Sequence, residues 1–200
     1  EVIDSIGVDP LRYYLAKTMG GNDAQISQEL ITATYNTDLA NNIGNLHSRV
    51  LKFIAKRCDG KVPVATDIHE DDRKLQEAVA EKLGKIVENI DLITLPDTLK
   101  TILQVADRLN THYNDAEPWK LVKDENQQDR FLSVCYVMLD CLRMFFQVLY
   151  PIMPDTANKA LKAIGLEPVG DEVEKRVFEP GILEMGSSLG EIENLFPRIQ

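Results

Sequence analysis

The chain has 200 residues, 44% of them hydrophobic and 27% charged, enough to bury the core of one sizeable domain. A net charge of -10 and a pI near 4.8 argue against general charge-driven binding to nucleic acid, but not against binding at one focused basic stripe. The longest apolar stretches fall short of the roughly 20 residues that cross a bilayer, and no signal peptide is evident, so no membrane association is expected.

Asp9-Pro10 predicts a helix start, with Leu11, Tyr14, Leu15 and Met19 on its apolar face and Gly20-Gly21 as its stop. Ser27 should cap a short helix running through Leu30, Ile31 and Tyr35. Residues 38–57 then form a helix with two stripes. Leu39, Ile43, Leu46, Val50, Phe53 and Ile54 share an apolar face, and Asn42, Asn45, Arg49, Lys52 and Lys56 form a polar row beside it. The Asp59-Gly60 turn ends it, and residues 62–66 read as a loop.

A third long helix is expected over residues 71–89, presenting Leu75, Val79, Leu83, Ile86 and Ile90. A fourth starts at Pro96-Asp97 and carries Leu99, Ile102, Leu103, Ala106, Leu109 and Tyr113. Glu117-Pro118-Trp119 breaks it, because Pro lacks an amide donor and restricts the residue before it. Residues 128–150 are apolar nearly all round, which places that helix at the centre of the bundle. A short helix over 155–164 ends at Gly165, and the Pro- and Gly-rich remainder should be irregular. The expected architecture is an all-α bundle with a C-terminal tail packed back on it.

Among catalytic motifs, G-x-S-x-G, Walker-type glycine loops, H-E-x-x-H and G-x-G-x-x-G are all missing. The acid pairs Asp71-Asp72 and Glu172/Glu174 read as solvated faces, so no catalytic residue is assigned. His47, His69 and His112 are too scattered for a metal site. Cys58, Cys135 and Cys141 suit reduced thiols in a cytoplasmic protein.

Binding is the better prospect. Asn45 and Arg49 stand at i and i+4 and emerge together, an amide and a guanidinium fork suited to base edges. Lys52 and Lys56 continue the row toward phosphates. Spacing alone still favours a solvated face for this row, and core packing for the single tryptophan, Trp119. Stacking of Trp119 on an unpaired base, with Tyr113 and His112 in support, is the functional alternative.

These residues carry a resemblance. DPLRYYL at 9–15, YNTDLANNIGNLHSRVLKF at 35–53, EPWKLVKD at 117–124, YPIMP at 150–154 and LFPRI at 195–199 resemble the C-terminal anticodon-binding half of methionyl-tRNA synthetases, class I aminoacyl-tRNA synthetases. The resemblance implies the helical bundle of the class I anticodon-binding type. Residues 1–25 would end the stem-contact segment, 26–165 form the bundle, and 166–200 the tail. It implies that Asn45 and Arg49 bond the CAU anticodon of methionine tRNA and that Trp119 stacks on an anticodon base. His47 between them is assigned to structure rather than to RNA.

Methionine tRNA and the catalytic domain of the same polypeptide are the implied partners, with neither membrane nor DNA. ATP and magnesium would serve the parent ligase, with no cofactor in this piece, which opens at Glu1 and lacks the family's lysine-serine loop and nucleotide-binding fold. A native leader upstream of Glu1 remains open. The tail over 165–194 matches only loosely, and Met185-Gly186-Ser187-Ser188 departs from the family's Pro-containing segment. The alternatives are the bundle of a cysteine, leucine, isoleucine or valine synthetase, or a helical protein-interaction module without RNA.

Overall fold

The computed structural model describes residues 5–19, 26–89, 91–169 and 178–199, and the expected Gly20-Gly21 stop, Ile90 and the Glu172/Glu174 pair lie outside them. The described elements are α1 (Val8–Thr18), α2 (Gln28–Thr34), a π-helical segment (Tyr35–Gly44), α3 (Asn45–Arg57), α4 (Glu70–Glu88), α5 (Leu95–Ala116), α6 (Pro118–Leu121), a 3-10 turn (Glu125–Gln127), α7 (Gln128–Leu149) and α8 (Pro154–Ala163). The fold is all-α. Among the described residues the extended pairing is one isolated bridge, Lys61 with Ser188.

Helix α7 is the axis, as its all-round apolar sequence predicts: α3, α4, α5 and α8 pack against it, and nearly all of its side chains are buried. It is also, contrary to the sequence reading, long and apolar enough to cross a membrane. However, 89% of its apolar stretch is already buried within the bundle. The predicted faces of α4 and α5 hold, with Leu75, Val79, Leu83 and Ile86 on one and Leu99, Ile102, Ala106, Leu109 and Tyr113 on the other. The predicted Ser27 cap and the predicted start near Pro96-Asp97 also hold, the latter with a cap from Thr94 that was not predicted. Ser27 Oγ accepts from the Leu30 amide at 3.2 Å, and α5 starts beside Pro96-Asp97, where Thr94 Oγ1 accepts from the Asp97 amide at 3.3 Å and donates to the Asp97 carboxylate at 2.7 Å.

Helix α1 keeps part of its predicted face, with Tyr14 buried and Leu11 half-buried, but is rotated from the rest of it. It buries Asp9, Pro10, Tyr13, Tyr14 and Ala16, whereas Leu15 and Met19 are exposed. Polar anchors decide the rotation. Tyr13 and Lys17 both donate to Asp38, at 3.0 and 2.6 Å, and Arg12 donates to the carbonyls of Pro151 and Ile152 at 2.9 and 2.8 Å. Asp9 caps a helix, but not its own: its carboxylate accepts from the Thr156 amide at 2.7 Å, in the first turn of α8.

Two acids read as solvated or unremarked sit inside. Asp72 is fully buried between α4, α5 and α7, accepting from Ser133 at 2.6 Å and pairing with His112 at 2.7 Å and with Arg130. Burial alone would raise its pKa, but the hydrogen bonds from His112 and Ser133 and the Arg130 charge outweigh it and hold the carboxyl below its usual range. Asp140 is likewise buried. It accepts from Gln76, from Arg143 and from the Gly181 amide at 2.7 to 2.8 Å, while Arg143 reaches the Glu179 carbonyl at 2.8 Å.

That network fastens the irregular tail to α7. Further on, Ser187 and Leu189 bond the backbone of Val62 and Gly60, and Gly190 bonds Ala163. Gly165, at φ +89°, lies so close to the tail that a Cβ would fall 2.2 Å from the Ser188 carbonyl. The LFPRI end lands on the π-helical segment. Phe196 packs edge-on to Tyr35 at 6.1 Å, Tyr35 donates to the Pro197 carbonyl at 2.7 Å, and Arg198 donates to Asn41 at 2.8 Å.

Candidate nucleic-acid interface

The two-stripe helix exists, built from the π-helical segment continuing into α3. Leu39, Ile43, Leu46, Val50 and Ile54 are buried, and Phe53 is half-buried. Asn45, Lys52 and Lys56 are exposed, and Asn42 and Arg49 are half-buried. The polar row splits in two. At 100° per residue, Arg49 and Lys52 stand roughly 60° apart around the helix, so they face different neighbours.

Asn42 and Arg49 face α5. The Arg49 guanidinium lies 5.0 Å above the Tyr113 ring, and its terminal nitrogens donate to Asn114 and Asn110 at 2.8 and 2.9 Å. Asn110 donates in turn to Asn42 at 2.9 Å, and Asn42 donates to Asp107 at 2.8 Å. The fork predicted to meet a ligand is thus first held by its own chain, in a plane set by the tyrosine beneath it. Its Nε is buried without a hydrogen-bond partner among the described residues, and so is the Tyr113 hydroxyl, whose pKa burial pushes up.

Trp119 joins the same assembly. Its ring meets Tyr113 at 6.0 Å and 64°, and 37% of the residue is exposed. Arg49 and Trp119, seventy residues apart in the chain, therefore share one tyrosine. His112 does not take part: it faces Asp72 on the other side of α5.

Asn45 and Lys52 face the tail instead. With Asn41, Ser48, Phe196 and Arg198 they line an open groove of about 630 Å³. Among the described residues the Asn45 amide has no partner, so both its donor and its acceptor are available. Lys56 continues the row one turn beyond Lys52.

His47 points the other way. It is fully buried edge-on against Phe146 at 5.6 Å, and both ring nitrogens lack partners among the described residues. Burial, with the Lys52 charge adding to it, lowers its pKa to about 4. It stays neutral and belongs to the core.

Sequence reasoning missed Asn110, Asn114 and Arg198. The first two stand at i and i+4 on α5 beside Tyr113, a visible polar pair that nothing in the chain ties to Arg49 before folding. The remaining described residues hold no group of three His, Cys, Asp or Glu placed to share a metal ion.

Comparison with known proteins gives the arrangement its family. Residues 62–200 match the anticodon binding domain of methionyl tRNA ligase, and residues 1–51 match the class I (M) tRNA synthetases. Arg49 and Trp119 therefore come from two family segments that the fold brings together. The chain is 32% identical over 200 residues to a methionine–tRNA ligase of Caldanaerobacter subterraneus, covering all of this chain and 31% of that protein. It is 31% identical over 198 residues to one of Rhizobium meliloti, covering 98% of this chain and 38% of that protein. The apo methionyl-tRNA synthetase of Mycobacterium tuberculosis superposes with a TM-score of 0.89 at 30% identity, over the whole of this chain and 40% of that one. The same enzyme bound by methionyl-adenylate gives 0.85 at 29% identity, over 98% and 39%. The chain spans between three-tenths and two-fifths of the length of these relatives. In sequence and in fold, the chain belongs to the methionyl-tRNA synthetase family, and residues 62–200 match that family's anticodon-binding domain.

Proposed function

We propose that this chain reads the CAU anticodon of methionine tRNA on behalf of a methionine–tRNA ligase. The observation that carries the reading is the Arg49–Tyr113–Trp119 ladder, a cation and an open indole fixed on one ring at the protein surface. An unpaired base would stack on Trp119, while the adjacent amides of Asn45 and the Arg49 cluster meet base edges. Lys52 and Lys56 meet the phosphates. Discrimination follows because a wrong base leaves desolvated donors and acceptors without partners.

Under the same proposal the chemistry lies elsewhere in the parent polypeptide, in the cytoplasm. A catalytic domain there joins methionine to its tRNA using ATP and magnesium, and anticodon contact positions the acceptor end for it. Residues 1–25 form the link to that domain, 26–165 the bundle and 166–200 the tail. Support for the link comes from the match of residues 1–51 to the synthetase model and from the polar anchors that seat α1 on the bundle.

The test is the affinity of a CAU stem-loop for the chain and for its Trp119→Ala variant. The variant should bind about 1–3 kcal/mol more weakly, the usual worth of one stacked base. Equal affinity would remove the stacking role.

A further inference from the structure

One strained residue sits between the ladder and the helix that supports it. Glu117 ends α5 at φ 45°, ψ 54°, in the left-handed region. Among the described non-glycine residues only Asp59 shares a positive φ, in the Asp59-Gly60 turn. Glutamate gains nothing intrinsic there, and the following Pro118 crowds the preceding backbone further. Such a conformation persists only where its surroundings impose it.

The surroundings are visible. The Glu117 carbonyl accepts from the Lys120 amide at 2.7 Å and the Leu121 amide at 3.3 Å, closing the single turn of α6. Pro118 is buried and fixes the next φ, so α6 leaves α5 in one direction. The Glu117 carboxylate also clamps Lys120 at 2.7 Å, but both side chains are substantially exposed and the pair is weak. Trp119 lies two residues beyond this bend, in edge-type contact with Tyr113 and partly open to solvent. An extended or right-handed residue at 117 would send Trp119 off the tyrosine.

We propose that Glu117 is a positioning residue whose left-handed backbone, rather than its carboxylate, aims Trp119 at the bound base. The inference rests on the anticodon reading above for its ligand, but the conformational half stands on Trp119 alone. The chain has one tryptophan, so its fluorescence reports that side chain directly.

Four chains are compared: wild type, Glu117→Gly, Glu117→Gln and Glu117→Val. Each is assayed for acrylamide quenching of Trp119 and for affinity toward a labelled CAU stem-loop. Gly adopts positive φ freely and Gln keeps the original backbone without the charge, so both should match wild type within about twofold. Val, β-branched, should change the quenching and weaken binding about tenfold. If circular dichroism shows that Val disturbs the bundle, Glu117→Asn and Glu117→Ala carry the same comparison, with Asn expected to outperform Ala. Unchanged quenching and affinity in Val, or a Gln variant as weak as Val, overturns the proposal. If Trp119→Ala binds as well as wild type while Val still alters the quenching, the anticodon reading fails and the positioning role survives.

Discussion

Arg49 shows how a side chain can be right in kind and incomplete in context. Its spacing from Asn45 announced a guanidinium beside an amide, yet the structure gives the two to different neighbours, Tyr113 with its asparagines and the tail groove. On the account above, Arg49→Gln removes the cation from the ladder and loosens discrimination between anticodons. Lys56→Gln, on an exposed turn, should cost similar affinity for every anticodon and lower the salt slope by about one. Titrations of matched and mismatched stem-loops at several salt concentrations separate the two, and equal loss of selectivity would contradict this division. His47, two residues from Asn45, makes the opposite case. Its pKa falls from 6.5 in the unfolded chain to about 4 when folded, so the unfolded state binds more protons between those values. Stability should therefore be full above about pH 6.5 and fall as pH drops toward 4, by about 3 kcal/mol at most. Urea unfolding at pH 7.5 and 4.5 measures it, and a His47→Phe chain should lose this part of the slope.

Among the elements, helix identity was legible wherever one apolar face repeats, as in α4, α5 and α7, because a buried stripe is itself the sequence pattern. What the pattern could not carry was polar docking. Helix α1 turned away from part of its apparent face because Arg12, Tyr13 and Lys17 found distant partners, and Asp72 proved buried because Ser133, His112 and Arg130 converge on it from α5 and α7. The π-helical turns were equally hidden, since leucines and asparagines spaced three and four apart fit either winding. That segment is pinned from both sides, by α1 through Asp38 and by the tail through Tyr35 and Asn41, and such segments recur at functional sites. The tail's own anchor is testable. Asp140→Ala would strand the buried Arg143 guanidinium and free the Gly181 amide, at a cost of about 3–5 kcal/mol. Chemical denaturation reads that loss, and a midpoint within a few tenths of wild type would mean the network does not hold the tail.

At the scale of the whole molecule, an acidic chain still places a few cations beside one groove and one tyrosine. Lys52 and Arg198 line the tail groove and Arg49 lies over the tyrosine, so binding there should be local and salt-sensitive despite the net charge of -10. The family's motifs supplied Asn45, Arg49 and Trp119 as separate names; folding gives Arg49 and Trp119 the same tyrosine, Tyr113, and sets Asn45 in the tail groove. The most direct test is to titrate the chain with a labelled stem-loop bearing CAU and with one bearing a changed anticodon, at low and moderate salt. The account predicts at least about fivefold preference for CAU at both salts, since each base contact contributes about 1–3 kcal/mol of discrimination. Equal affinity for the two loops, at a level that vanishes with salt, would contradict it.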